Sequence, residues 1–420
     1  MNYLLKNALR ATLDPPSAES GDIRIRNGVI AEVGRNLAQS KNEERVDLNG
    51  KLIMPGFVCA HTHLYSSLAR GMPAPEDPPD NFLEILQKLW WKLDRALDDE
   101  AIYYSALVGA IDAARNGTTA LFDHHSSPSS IKGSLDIIKQ ALDEVGLRAV
   151  LCYEVTDRGG MKQRDEGLKE NERFIRATKK HPRIRGMVGA HASFTLGTES
   201  LELCGEMAKK LKSGVHIHVA EDECDSVDAE ENYQRTVVDR LSPAGILTDR
   251  SILAHCIHLA DFDFERLRDS QAWLVHNPRS NINNNVGRAR LEQFGNRAAL
   301  GTDGFVANMP QEASFVSTAN GVDALKLISG GQRMVSEYFS EKFGTFQKGS
   351  LADLVVLEYD PPTPLTSQNL FAHLLSASAS VESVMVDGRW VVKDRQVVGV
   401  DAQDIFEKAR RVAKKLWSKL

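Results

Sequence analysis

The sequence has no long apolar run. Nothing in its 420 residues approaches the roughly eighteen consecutive apolar positions that a membrane-spanning helix requires. The opening Met1-Asn2-Tyr3-Leu4-Leu5-Lys6-Asn7 lacks the charged leader and apolar segment of a secretory signal, so a cytoplasmic location and no membrane partner are expected. Cysteine is scarce, and Cys59, Cys152, Cys204, Cys224 and Cys256 form no close pair such as Cys-x-x-Cys. That spacing argues against a disulfide framework; Cys59, Cys152 and Cys256 read as small apolar residues in strands. No basic stripe interrupts a net charge of −6 with signs mixed along the chain, which excludes a nucleic-acid footprint. A small-molecule partner is expected, and a homo-oligomer is left open.

What is present is an ordinary globular composition, 42% hydrophobic and 26% charged, in a chain long enough for one large barrel-type domain with an accessory domain. Both ends read as β-hairpins. Ile23-Arg24-Ile25-Arg26 alternates, turns at Asn27-Gly28 and returns as Val29 to Val33, and Val384-Met385-Val386 turns at Asp387-Gly388 into Trp390-Val391-Val392. Residues 1–54 and 346–400 are therefore expected to form one composite β-sandwich. The middle, 55–345, alternates apolar runs with helical patterns such as Leu135, Ile138, Leu142 and Val145. Eight such runs predict an α/β fold, a (β/α)8 barrel with its site at the C-terminal strand ends. Ile405, Ala409, Val412 and Leu416 predict a packing helix over 401–420.

The stretch Ile53 to Leu64 ends in His61-Thr62-His63, and residues i and i+2 of a strand point to the same side. Two imidazoles can thus face one point. His218, His255 and Asp303 also close apolar runs, so His61, His63, His218 and Asp303 form a ligand set suited to a divalent transition metal with one position open for water. Zinc is expected, with iron the alternative. His216 shares the face of His218 and is the alternative ligand, read here as barrel packing. Bound water would have its pKa lowered from about 15.7 toward about 7. Glu221, in His218-Val219-Ala220-Glu221, is placed to move protons, Asp303 to accept one from the water, and His255 to orient the water and stabilise developing charge.

Pro55-Gly56-Phe57-Val58-Cys59-Ala60-His61-Thr62-His63, His218-Val219-Ala220-Glu221, Ala254-His255-Cys256, His276-Asn277-Pro278-Arg279-Ser280-Asn281 and Gly301-Thr302-Asp303-Gly304 together resemble the amidohydrolase superfamily, in its cytosine deaminase and chlorohydrolase branch. Leu89-Trp90-Trp91-Lys92-Leu93-Asp94-Arg95-Ala96-Leu97, Phe122-Asp123-His124-His125-Ser126-Ser127-Pro128 and Tyr359-Asp360-Pro361-Pro362-Thr363-Pro364-Leu365-Thr366 look like SsnA-type aminohydrolases. Asp123-His124-His125 is also similar to 8-oxoguanine deaminases. The resemblance implies one metal on His61, His63, His218 and Asp303, a proton shuttle at Glu221 and a water contact at His255. It implies a substrate-pocket role for His191, and His124 and His276 sit at other strand ends within reach of a substrate. Strand four, Arg185-Gly186-Met187-Val188-Gly189, has no lysine to bridge a second metal. One departure stands out: Phe305-Val306-Ala307-Asn308-Met309-Pro310 replaces an expected acidic or Asn-rich stretch, and the segment C-terminal to it is shortened.

The expected activity is hydrolytic deamination of a purine-, pterin- or pyrimidine-like heterocycle. The same site could hydrolyse a cyclic amide or a carbon–halogen bond, and a non-catalytic metal-binding scaffold is the reading from another class.

Overall fold

The computed structural model describes residues 1–316, 324–376 and 379–420. Eight parallel strands form the barrel: Phe57–Thr62, Thr118–His125, Arg148–Val155, Val188–Ala192, Val215–Val219, Ile252–His255, Trp273–His276 and Ala298–Leu300, paired in that order. Nearly every residue in them is buried, as expected for parallel strands covered on both faces. The fourth is preceded by a short piece, Ile184–Gly186, which also pairs with the third strand. The ring closes between its first and eighth strands, where the Thr302 and Asp303 amides donate to the His61 carbonyl at 2.9 and 3.1 Å and the His63 amide donates to the Asp303 carbonyl at 3.2 Å. Closure and three of the four expected metal ligands thus occupy the same few residues.

The apolar run that reads as one opening strand is in fact two. Leu52–Pro55 belongs to the terminal sheet and Phe57–Thr62 to the barrel. Gly56 separates them because the chain passes hard against the second strand: a Cβ there would lie 2.2 Å from Thr119 Oγ1. Helices Asp99–Arg115 and Ser134–Val145 lie where the apolar spacing places them, the first capped by Asp98, whose carboxylate accepts the Ala101 amide at 3.0 Å.

Both termini build one nine-stranded sheet, in which Leu52–Pro55 pairs with Asn2–Leu13 on one side and Leu354–Glu358 on the other. The hairpin turns announced by Asn27-Gly28 and Asp387-Gly388 meet, a Cβ on Gly388 falling 2.9 Å from the Gly28 Cα. The sheet therefore closes round a core of its own, including Leu5, Ile23, Ile53, Val356 and Met385. It is tied to the barrel by a buried pair: Arg148 Nε and an Nη donate to the two Asp353 oxygens at 2.9 and 3.1 Å. Helix Ala402–Trp417 buries Ile405, Ala409, Val412 and Leu416, and the Trp417 indole donates to the Leu68 carbonyl at 2.8 Å. No helix among the described residues is long and apolar enough to cross a membrane.

Candidate active site

The first strand delivers His61 and His63, the fifth His216 and His218, the sixth His255, and the loop after the eighth Asp303. Nitrogen and oxygen atoms of His61, His63, His218 and Asp303 lie within 4.8 Å of one another. His63 Nε2 is 3.1 Å from His218 Nε2 and 2.9 Å from Asp303 Oδ1, and His61 Nε2 is 3.4 Å from the same oxygen. A tetrahedral ion with bonds of about 2.0–2.1 Å holds its ligand atoms roughly 3.4 Å apart, so the spacing suits one small cation.

The opposite ring nitrogens are occupied. His63 Nδ1 donates to the His124 carbonyl at 2.6 Å and His218 Nδ1 to the His191 carbonyl at 2.9 Å, while His61 Nδ1 lies 2.8 Å from His216 Nε2. With Nδ1 protonated, each neutral ring turns an Nε2 lone pair toward the shared point. Lone pairs 3.1 Å apart repel unless a cation lies between them, and His61 Nε2 is buried without a hydrogen-bond partner. The donor set therefore fits a divalent metal. With no ion between them, the Asp303 carboxylate outweighs burial at His63 and lifts its imidazole pKa to about 9, so a cation at the shared point would take the place of a proton on His63. His61, shielded by burial, is pushed down to about 3. His216 acts from behind, as the acceptor for His61.

Two carboxylates share the site and are driven apart. Burial raises the pKa of Asp303, but its bonds to His61 and His63 prevail and hold it well below the usual range. Burial and the neighbouring Asp303 charge raise Glu221 well above it. Such a split separates a permanently ionised group from a proton carrier. The Ser280 hydroxyl donates to Asp303 Oδ2, and Asn284 Nδ2 reaches Ser280 Oγ at 3.3 Å and Glu221 Oε1 at 3.4 Å. His255 stands beside Glu221, Nε2 to Oε2 3.4 Å, with its Nδ1 donating to Asn281 Oδ1 at 2.8 Å. Ala220, His255 and Asp303 hold φ of 45°, 72° and 52°. Left-handed backbone at non-glycine residues costs of order 1–3 kcal/mol each and gathers at functional sites.

The cavity above these groups is walled by Phe82, Leu86, Trp90, Trp91 and Phe194, with His191, Glu221 and Asp303 facing it. Leu86–Trp90 is a π-helical turn, a departure that often marks functional segments. His191 Nδ1 lies 2.7 Å from Thr195 Oγ1, whose own proton goes to the Ala192 carbonyl, so His191 is left with an Nε2 lone pair. Burial depresses its pKa to about 4 and keeps it neutral.

The structure does not bring all the expected substrate contacts to this wall. His124 is fully buried below it, with Nε2 donating to the Ala190 carbonyl at 3.0 Å and Nδ1 3.5 Å from Glu154. His276 is buried behind His255, 3.4 Å from Asn281 Nδ2. In the altered loop, Gly304 lines the cavity, Phe305 is exposed under Arg279, and Asn308 caps helix Met309–Ser314; its continuation through 317–323 lies outside the described residues. Sequence reasoning gave no role to Asp94, Ser280 or Asn284, and quoted Asn281 only within a motif.

Comparison with known proteins agrees with this architecture. The pattern described as "Amidohydrolase family" matches residues 52–391. A 5-methylthioadenosine/S-adenosylhomocysteine deaminase of Caldanaerobacter subterraneus subsp. tengcongensis is 29% identical, over 99% of each chain. A 5'-deoxyadenosine deaminase of Methanothermobacter thermautotrophicus is 30% identical, over 96% of each. Among solved structures, an adenosine deaminase from Xanthomonas campestris with bound zinc superposes with a TM-score of 0.87 at 21% identity, covering 99% of this chain and 98% of that one. By sequence and by fold, the chain belongs to the amidohydrolase family.

Proposed function

We propose that the protein is a metal-dependent aminohydrolase that removes an exocyclic amino group from a purine-like heterocycle, with zinc on His61, His63, His218 and Asp303. The observation that carries the reading is the convergence of three Nε2 atoms and one carboxylate oxygen on a shared point, with a second carboxylate, Glu221, and His255 beside them. The deaminase relatives favour carbon–nitrogen cleavage over other uses of such a site. The same reading takes 55–345 as the catalytic unit, with 1–54 and 346–400 as its sheet domain and 401–420 as a packing helix.

The bound ion would supply water activation, lowering the pKa of that water to about 7. The residues supply the rest. Asp303 Oδ2 is fixed by Ser280, so Oδ1 is the oxygen left toward the water. Glu221 is protonated, accepts the Asn284 amide at Oε1, and carries its proton on Oε2, the oxygen beside His255. From there that one proton passes to a ring nitrogen of the heterocycle, and the proton given up by the attacking water, accepted at Asp303 Oδ1, passes to the departing nitrogen. The water's oxygen joins the ring carbon, the carbon–nitrogen bond breaks, and ammonia leaves. His255, oriented by Asn281, positions the water. The aromatic walls at Phe82, Trp90 and Trp91 hold a flat ring, and His191 Nε2 accepts a hydrogen bond from it.

An ammonia-release screen over purines, pterins, pyrimidines and their nucleosides, with chloride release from halogenated analogues read in parallel, tests the reading. Ammonia from a purine-like compound is expected. Chloride without ammonia would replace it with chlorohydrolase chemistry, and bound metal with no turnover of any ring compound would leave the scaffold reading.

A further inference from the structure

The six-residue helix Pro278–Asn283 and its C-cap Asn284 reach Asp303, His255 and Glu221, the three groups that serve the water and the proton. The Ser280 hydroxyl donates to Asp303 Oδ2, Asn281 Oδ1 accepts from His255 Nδ1, and Asn284 Nδ2 reaches Glu221 Oε1. One short segment thus sets three positions at once. A helix of this length is unstable on its own, because nucleation costs more than its few bonds return. Packing holds only its inner face: Ile282 is 62% exposed, Asn283 is exposed, and a cavity of about 380 Å³ runs past Ser280, Asn283 and Asn284 to Asp303 and Phe305.

Arg279 ties this helix to the chain that follows Asp303. Its backbone N–H donates to Glu312 Oε1 at 2.9 Å and its Nε to Glu312 Oε2, while one Nη donates to Gln311 Oε1 at 3.0 Å and the other to the Val306 carbonyl at 2.7 Å. The Phe305 ring lies 5.3 Å from the guanidinium carbon. Glu312 is fully buried and the Arg279 side chain is 10% exposed, so the pair is shielded from water. Phe305 and Val306 belong to the stretch that replaces an expected acidic or Asn-rich one, and Gln311 and Glu312 follow it directly. The departure in sequence therefore builds a receptor for Arg279. A planar guanidinium can serve three acceptors from one side chain with little freedom left, which an ammonium cannot.

We propose, building on the aminohydrolase reading, that Arg279 is a positioning residue: clamped to Glu312, it locks the helix of Ser280, Asn281 and Asn284 against the loop of Asp303. It touches neither the ion nor the substrate. It acts on metal affinity through Ser280, which fixes Asp303, and on turnover through Asn281 and Asn284, which fix His255 and Glu221.

The test is cobalt(II) binding to the metal-free full-length protein, in competition with a chelator of known affinity, with the visible cobalt bands recorded at saturation. Arg279→Met is expected to weaken cobalt binding about 10- to 100-fold, the range for groups that orient a ligand, and to alter the bands. Arg279→Lys, which keeps the charge beside Glu312 but lacks the fork, should fall between it and wild type. Ser280→Ala should weaken binding by a similar factor, and Arg279→Met added to it should cost no more than about twofold further, because the path is already cut. Unchanged affinity and bands in Arg279→Met would overturn the proposal. So would losses that multiply in the double variant, the mark of a general loosening of the fold, or a native protein that binds no cobalt. If Arg279→Met fails to fold, Arg279→Lys with and without Ser280→Ala decides in the same way. Ammonia release by the same variants, from whichever compound the native protein deaminates, should show kcat lowered with KM little changed. Cobalt bound by the native protein with no ammonia from any compound would sink the aminohydrolase reading alone, since the metal titration still decides the clamp.

Discussion

Glu221→Gln separates proton transfer from every other property of the site. Burial and the Asp303 charge raise the Glu221 carboxyl well above its usual range and so favour its protonated form, whose shape and ground-state hydrogen bonding the amide reproduces. Its oxygen can still accept from Asn284 at the Oε1 position, and its NH2 faces His255 Nε2 where the carboxyl proton lay. What it loses is a releasable proton. Positioned general acid–base groups contribute about 10²- to 10⁴-fold, which at 1.36 kcal/mol per decade is about 2.7–5.4 kcal/mol of barrier. The variant should therefore show kcat reduced by that factor, KM changed little, and metal content equal to wild type, read by ammonia release and elemental analysis. A fully metallated variant with kcat within tenfold of wild type would refute the proton-carrier role. Loss of metal would show Glu221 to be a ligand instead.

The remaining expectations concern the groups behind the site and the frame that carries it. His216→Phe removes the acceptor that orients His61 and should weaken metal affinity about 10- to 100-fold, checked by competition with a chelator of known affinity. Asp353→Ala strands the buried Arg148 guanidinium and should cost about 3–5 kcal/mol, seen as a fall in Tm of roughly 4–6 °C if the chain unfolds as one unit. In the metal-free protein, burial depresses His61 and His125 to about 3 and His124 and His191 to about 4, whereas the unfolded chain takes up those protons near pH 6.5. At these four groups the unfolded state then binds more protons, so the share of stability they supply above pH 6.5 should drain away as pH falls toward 3, against the opposite contribution of Asp94, Asp123 and Asp225, which burial raises to about 7. His125→Gln, which leaves the metal ligands in place, should make that fall in Tm shallower; an unchanged slope would show that His125 titrates normally in the fold.

The legible part of this protein lies on strands. His61 and His63 could be placed from sequence because strand periodicity fixes which way a side chain points, and because each strand ends where an apolar run meets a polar residue. The same rule misplaces contacts one layer down. His124 and His276 also end apolar runs, but their rings sit under the cavity floor, and no pattern of apolar residues distinguishes a ring that faces a ligand from one that supports its neighbour. Asp94, Ser280 and Asn284 come from helical segments after turns, so their direction depends on how those segments dock. Asp94 and Ser280 were quoted only within motifs, and Asn284 in none. Gly56 carried a clearer signal: a glycine inside an apolar run marks a close passage, and here it divides one apparent strand between two sheets.

The proposed chemistry centres on one ion held by His61, His63, His218 and Asp303. Elemental analysis of the purified protein beside Asp303→Asn tests it most directly. About one zinc per chain in the native protein and a small fraction of that in the variant is the expected result. A native protein that stays free of zinc, iron and other divalent metals after reconstitution would contradict the metal-dependent mechanism at its root, and equal metal in both would remove Asp303 from the ligand set.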